Sequence, residues 1–386
     1  MIEKYLVPML FGSMFGMQSC ERTSYDAPAP ILETPITIIP ATPPTQSKDN
    51  DGTTNPRCTH EELMRRIEEA KQLLRPVPMH TTRIGGNDAV LAVWNPDTHA
   101  SPTLVRVANG LSQTQGFNIT VRRANGVNSN YRVNSPSGYI ALVIKTNVRG
   151  ATPPHAPTAA VYVPYSEDLH TKALSHEGLE YLRGLVPNSA DKLDVRDVRS
   201  MVDPERHVTK IVPAKILTTL LVIEHIDPDE FSSLGVDHSI SKVLMILGAN
   251  RGEAFRYAVS GARARGLAQF IPSTYDVTRR RYPRAGLPKS FIEGMTNHGF
   301  AVMAQYCLAD WSLTKLPARV LRKLYASERQ EDLGAWLAAA YNGGEDRAAR
   351  AYLNDPTNWD KAGNGLAPET VKYIVIFRAV YGKLYP

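Results

Sequence analysis

The stretch that most restricts the fold runs from Pro213 to Pro228, reading Pro-Ala-Lys-Ile-Leu-Thr-Thr-Leu-Leu-Val-Ile-Glu-His-Ile-Asp-Pro. Pro213 suits a first helical position, where a missing N–H has no partner to lose, and Pro228 cannot continue a helix. Leu217, Leu220, Leu221 and Glu224 fall at i, i+3, i+4 and i+7, one face of a 3.6-residue period. These spacings predict a helix whose apolar stripe ends in a carboxylic acid. Burial disfavours the ionised form, so a glutamate there has a raised pKa and stays protonated near neutral pH, as a general acid must. On this helix alone, a glutamate at a frayed end turned back to solvent is the plainer reading.

The chain has 386 residues, enough for two or three domains, and 43% of them are hydrophobic, enough for a sizeable core. Its formal charge of +6 is unevenly spread: residues 1–209 carry 21 Lys+Arg against 21 Asp+Glu, and residues 210–386 carry 23 against 17. A basic C-terminal part favours a polyanionic partner, whether nucleic acid, an anionic membrane surface or an acidic cell-wall polymer. Arg279, Arg280, Arg281 and Arg284 supply four of these charges. A solvated face explains that cluster as well as a binding patch does, and no nucleic-acid-binding module accompanies it.

Residues 1–20 read as an export signal: Lys4, a mostly apolar run from Tyr5 to Met17, then Gln18-Ser19-Cys20. The run is too short to span a bilayer comfortably. Ser19-Cys20 resembles the lipobox of bacterial lipoproteins, which implies that Cys20 is lipidated and anchors an exported protein at a membrane, periplasmic or on the cell surface. Met17 and Gln18 depart from the usual lipobox residues, and ordinary signal cleavage is the alternative. Residues 21–56 include Pro28, Pro30, Pro35, Pro40, Pro43 and Pro44; they bury little and read as a disordered tether. Cys58 and Cys307 could pair in an oxidising compartment, but Cys307 sits in an apolar helical pattern and reads as an inert core thiol.

Residues 57–209 are expected to form a small β-rich or α+β unit. Thr59-His-Glu-Glu62 is a capping box that predicts a helix to about Leu74. Ala89–Trp94, Thr103–Val107, Phe117–Val121 and Tyr139–Ile144 predict strands between Gly, Asn and Pro punctuation, and helical patterns follow from Glu167 to about Val212. His176-Glu177 opens like a zinc-protease helix, but residue 180 is Glu rather than His, so the motif fails. The other histidines lack ligand spacing, and neither a metal nor a cofactor is expected. No chemistry is legible in this unit.

Residues 210–386 read as mainly helical and hold three further signals. Ser260-Gly-Ala-Arg-Ala-Arg-Gly266-Leu-Ala-Gln269-Phe-Ile-Pro272-Ser-Thr-Tyr275 offers small residues for close backbone approach and one amide, Gln269, that both donates and accepts. Trp336-Leu-Ala-Ala-Ala-Tyr341-Asn342-Gly343-Gly344 is an apolar helix that ends in Tyr-Asn before a diglycine stop. Glu369-Thr-Val-Lys-Tyr373 opens the last helix with an acid in its first turn. Taken singly, each is explained as well by packing or capping.

In this order the pieces resemble the soluble lytic transglycosylase domain, a goose-lysozyme-like helical family. Its motifs are a helix ending in the catalytic Glu, then S-x-x-G-A-x-G-L-M-Q-x-M-P-x-T, A-Y-N and E-T-x-x-Y. Here they stand as Glu224, Ser260 to Thr274, Ala340-Tyr341-Asn342 and Glu369 to Tyr373, over roughly the last 45% of the chain. Three features depart from the pattern. His225 follows Glu224 where Ser is usual, Ala268 replaces Met, and Gly266 follows Glu224 by 42 positions. That interval is more like the transglycosylase B branch, whose Q-F-M-P-S-S-Y is close to Gln269–Tyr275. Glu253, 13 positions before Gly266, is therefore a rival acid. Gly248, Asn250 and Gly252 weaken any helix that would hold it, and Glu224 is preferred.

The resemblance implies an α+β protein with a mainly α-helical, lysozyme-like domain over 210–386. It implies cleavage of the MurNAc-β-1,4-GlcNAc bond of peptidoglycan with a 1,6-anhydromuramyl product, Glu224 serving as general acid and base. It further implies that Ser260, Gln269, Tyr341 and Asn342 bind the sugar, while Glu369 and Tyr373 brace the fold beneath. A hydrolytic lysozyme on the same fold and a non-catalytic wall-binding protein are the alternatives. Peptidoglycan strands, rather than nucleic acid, are the expected partner.

Overall fold

A computed structural model of the chain describes residues 58–80, 88–98, 100–123, 126–149, 157–326 and 330–386. The stretch read as an export signal ending at Cys20 and the stretch read as a tether lie outside these residues. The described chain is α+β: an antiparallel sheet followed by a mainly helical C-terminal region.

Helix α1 (His60–Leu74) starts where Thr59 Oγ1 accepts a hydrogen bond from Glu62 N at 3.2 Å. Its buried stripe Leu63, Ile67, Ala70 and Leu74 lies on the sheet. The sheet holds β1 (Ala89–Trp94), β2 (Thr103–Ala108), β3 (Leu111–Ser112), β4 (Asn118–Arg123), β5 (Asn130–Ser135), β6 (Ile140–Arg149) and β7 (Pro157–Tyr162). Their order is β5-β4-β3-β2-β1-β6-β7, and every pair is antiparallel. β1 is buried along its whole length, as its unbroken apolar run Ala-Val-Leu-Ala-Val-Trp requires. Register shifts at Ala92/Val93 and twice along β4 add twist and curl the sheet. Lys145 on β6 donates to Leu74 O at 3.0 Å and Arg75 O at 2.6 Å, placing a cation on the carbonyl end of α1.

The helices that follow are α2 (Lys172–Val195), α3 (Ala214–Ile223), α4 (Pro228–Asn250), α5 (Pro272–Arg281), α6 (Phe291–Thr296), α7 (His298–Leu313), α8 (Ala318–Ala326), α9 (Glu331–Gly343), α10 (Glu345–Asn354) and α11 (Pro368–Leu384). α7 is buried on almost every side, matching its lack of a polar face. α4 kinks at Gly235, whose φ is 83°. α2 and α4 cross at backbone contact: a Cβ on Gly178 would lie 1.9 Å from Leu244 O, and one on Gly248 2.1 Å from Leu174 O. This packing joins α2 to the later helices. Asp310, buried on α7, fixes the loop before α3 by accepting from Ser200 Oγ at 2.5 Å and Met201 N at 2.7 Å.

Cys58 and Cys307 are both free thiols, and Cys307 is buried in α7. No helix among the described residues is long and apolar enough to cross a membrane.

Candidate active site

α3 is the floor of the site. Pro213 is its N-cap rather than its first helical residue, and every residue from Ile216 to Ile223 is buried. Glu224 closes the helix with φ −59° and ψ −16°, its N–H bonded to Leu220 O at 3.2 Å. The residue as a whole is half-buried. Crowding by protein atoms raises its pKa from an ordinary value of 4.5 to about 8, against a smaller opposing effect from the Tyr373 hydroxyl. The cause of the shift is burial, not a neighbouring carboxylate.

Tyr373, buried on α11, donates its hydroxyl to Glu224 Oε1. That bond leaves Oε2 to carry the proton. Tyr341, near the end of α9, donates to Ala268 O. Burial, and then the Glu224 charge, push both phenols far above their usual range, so both are permanent donors. Asn342, next on α9, accepts from Thr370 Oγ1 at 2.8 Å. This leaves the Asn342 NH₂ group as the part of the amide that can meet a ligand.

The loop between α4 and α5 comes over this group. Arg265 bridges Val259 on one side and Phe270 on the other. Gly266, with φ 73°, rests on Met295, and a Cβ there would stand 1.9 Å from the Met295 carbonyl oxygen. Gln269 is buried with φ 49°, and its Nε2 donates to Gly266 O at 2.7 Å. Phe270 meets Tyr341 edge-on, with ring centroids 5.9 Å apart. Left-handed conformations at non-glycine residues persist only where their surroundings over-determine them, and Phe255 (φ 56°) adds another here.

His225 explains part of that over-determination. Its ring stacks on Phe255, with centroids 3.6 Å apart and planes 9° from parallel. Its Nε2 faces Leu267 O at 2.8 Å and must be the donor, because a carbonyl can only accept. Burial holds its pKa down to about 3, so the ring is a neutral prop. Three successive carbonyl-to-side-chain ties thus pin the loop: His225 on Leu267, Tyr341 on Ala268, and Gln269 on Gly266.

Glu224, Gln269, Tyr341 and Asn342 are therefore drawn together around the ends of α3, α9 and α11. Ser260 has a different place. Its Oγ accepts from Ala264 N at 3.0 Å, and its N–H donates to Ala264 O at 2.9 Å, so the hydroxyl shapes its own turn. Glu253 sits in a one-turn 3₁₀ helix, exposed and paired with Arg256 at 2.7 Å. Its charge acts on Tyr162, Tyr181 and His298, whereas that of Glu224 acts on Tyr341 and Tyr373. Glu369 lies half-buried in the first turn of α11. The links from His225 to Phe255 and Leu267, and from Thr370 to Asn342, were not readable as contacts in the sequence. The one signal was His225 itself, as a departure from the family pattern.

The basic cluster is internally matched. Arg279 and Arg280 both pair with Asp276, Arg284 pairs with Asp197 at 3.1 Å, and Arg281 lies over Trp311 at 3.7 Å. Among the described residues, no group of His, Cys, Asp and Glu could hold a metal ion. Comparison with protein-family models, curated proteins and solved structures finds no match for this chain.

Proposed function

We propose that the chain is an exported peptidoglycan lytic transglycosylase, anchored by lipid on Cys20, in which Glu224 is the sole acid and base. What supports this reading is a carboxylic acid at the end of a buried helix, bonded by Tyr373 and set beside Tyr341 and the Gln269 loop, with burial raising its pKa. A glycan strand across Gln269, Tyr341 and Asn342 receives the Glu224 proton on its glycosidic oxygen as the C1–O bond breaks. The C6 hydroxyl of the muramyl sugar attacks C1 and gives its proton to the Glu224 carboxylate. Glu224 returns to its neutral form, no water is consumed, and a 1,6-anhydro ring closes. An internal nucleophile has a high effective concentration, so this route works with one carboxylate, whereas glycoside hydrolysis ordinarily uses two.

The test is product release from purified sacculi followed by mass spectrometry. Wild type is expected to release muropeptides one water lighter than reducing-end products, and Glu224→Gln to release them roughly 10²–10⁴-fold more slowly. Glu253→Gln should match wild type. Reducing ends would make the protein a hydrolytic lysozyme, and binding without release a non-catalytic wall protein. Undiminished release by Glu224→Gln would overturn the assignment.

A further inference from the structure

The N-terminal half balances its charges in total but not along its length. Between Asp97 and Glu167 the chain has six Lys or Arg and no Asp or Glu. Strands β2 to β7 and the turns between them therefore carry one sign of charge only. Lys145 is used on the end of α1, and Arg106 reaches Pro78 O at 3.4 Å. Arg122 on β4 and Arg132 on β5 are exposed, and among the described residues neither has an ion pair or a side-chain hydrogen bond. This is the opposite of the arginines on and after α5, three of which have carboxylate partners.

The surroundings of these two cations are ordered. Thr120 pairs with Arg132 across β4 and β5, and Asn118, Thr120 and Arg122 are exposed on β4. Asn134 Nδ2 donates to Asn118 Oδ1 at 3.1 Å and to Thr120 Oγ1 at 2.5 Å, tying the two strands together on their solvent face. β5 is also an edge strand, with a neighbour on one side only. An edge strand can hydrogen-bond an extended chain, side-chain amides can pair with peptide groups, and a guanidinium fork fits a carboxylate bidentately.

We propose that the outer face of β4 and β5, with Arg122 and Arg132, is a docking surface for the carboxylate-bearing stem peptides of the glycan strand cleaved at Glu224. The inference rests on the wall-cleaving reading, which supplies an acidic peptide as the partner. Docking on the sheet raises the local concentration of glycan at the helical site, with an electrostatic pull that weakens as salt rises.

Full-length Glu224→Gln protein is cosedimented with purified sacculi and, at equal glycan mass, with bead-bound glycan strands that an amidase has freed of stem peptides. Intact sacculi are expected to bind more tightly than this stripped glycan, and added salt to remove the difference. Adding Arg122→Glu and Arg132→Glu should weaken binding to intact sacculi roughly tenfold, with the Arg→Gln pair intermediate. Both positions are exposed, so the melting temperature should not move. With Glu224 restored, the double variant should cleave stripped glycan at the wild-type rate. The docking proposal fails if the double variant binds intact sacculi like its parent, or if stripped glycan binds the parent as well as intact sacculi do. It also fails if the parent prefers DNA or anionic lipid vesicles to intact sacculi at equal ionic strength. Binding that depends on Arg122 and Arg132 without any product release by wild type would sink the cleavage reading and leave the docking surface standing.

Discussion

Tyr373 and Glu224 set the pH behaviour of the site between them. In the proposed mechanism cleavage needs Glu224 protonated, so the rate should hold below its pKa of about 8 and fall above it. The Tyr373 hydroxyl favours the carboxylate, so Tyr373→Phe should move the alkaline limb to higher pH while lowering kcat roughly tenfold through a looser carboxyl. A pH–rate profile whose limb moves down, or stays put, would contradict this. The same group bears on stability with a definite sign. Its folded pKa lies above the unfolded value, so the stabilisation it gives is complete below about pH 4.5 and is lost as pH rises to about 8. Glu224→Gln should therefore gain on wild type over that window, by up to about 1.4 kcal/mol per pH unit. His225 has a separate task. His225→Phe keeps a ring on Phe255 but loses the donor to the buried Leu267 O, so kcat should fall and the melting temperature should drop with it. His225→Asn should recover part of the rate, and equal rates for Phe and wild type would show that the bond is irrelevant. Glu224 at its helix end, and the Gln269, Tyr341 and Asn342 that the fold brings near it, could be singled out in the sequence because their spacing is local or motif-like. The His225–Leu267 tie spans 42 positions and follows no period, so only the folded chain discloses it.

At the level of elements, apolar pattern decided what could be foreseen. β1 and the first half of β6 are runs of Val, Ile, Leu and Ala, while β2 and β4 set Val105, Val107, Ile119 and Val121 alternately with other residues, and each pattern marks its strand. β5 reads Asn-Tyr-Arg-Val-Asn-Ser and β7 opens on Pro157, and both are edge strands. Edge strands carry polar residues and prolines because they are not buried on both sides, so they leave weak signals. β3 has only two residues. α2 was visible as helical, but its partner was not. Glycines at 178 and 248 show no affinity for each other in a sequence, although each fits only because the other helix's backbone lies within van der Waals reach. Gly178→Ala should force that crossing apart and destabilise the protein by roughly 1–3 kcal/mol or more, read by urea unfolding. Gly184, also on α2, has nothing within 4 Å of a built Cβ. Gly184→Ala is thus the control, expected to be neutral or slightly stabilising. Equal effects at the two positions would mean that α2 and α4 do not cross here.

The whole molecule turns on one joint between sheet and helices. Asn250, buried at the end of α4, donates Nδ2 to Val163 O at 2.9 Å and accepts from Val163 N at 2.9 Å. One side chain thus stands in for a neighbouring strand just where β7 ends. Lys71 of α1 donates to Ala249 O at 3.1 Å, and Phe255 N donates to the Tyr162 hydroxyl at 3.2 Å. Sheet, first helix and site loop therefore meet within a few residues, and Phe255 carries the joint on to His225. Asn250→Ala would leave the Val163 N–H and C=O without these partners, at about 1–3 kcal/mol for each buried group. Asn250→Asp keeps an acceptor for Val163 N but sets a carboxylate against Val163 O. It should be worse than Ala at neutral pH and recover as the acid is protonated on lowering the pH, which Ala cannot do. Far-UV circular dichroism follows the helices and hydrogen exchange at the β1 amides follows the sheet, so one temperature series reads both sides of the joint. In wild type the two signals should change together, because neither half can leave without exposing Asn250 or Val163. In Asn250→Ala both should fall to a lower temperature. A sheet signal that melts at its wild-type temperature in that variant would show that the sheet does not depend on α4.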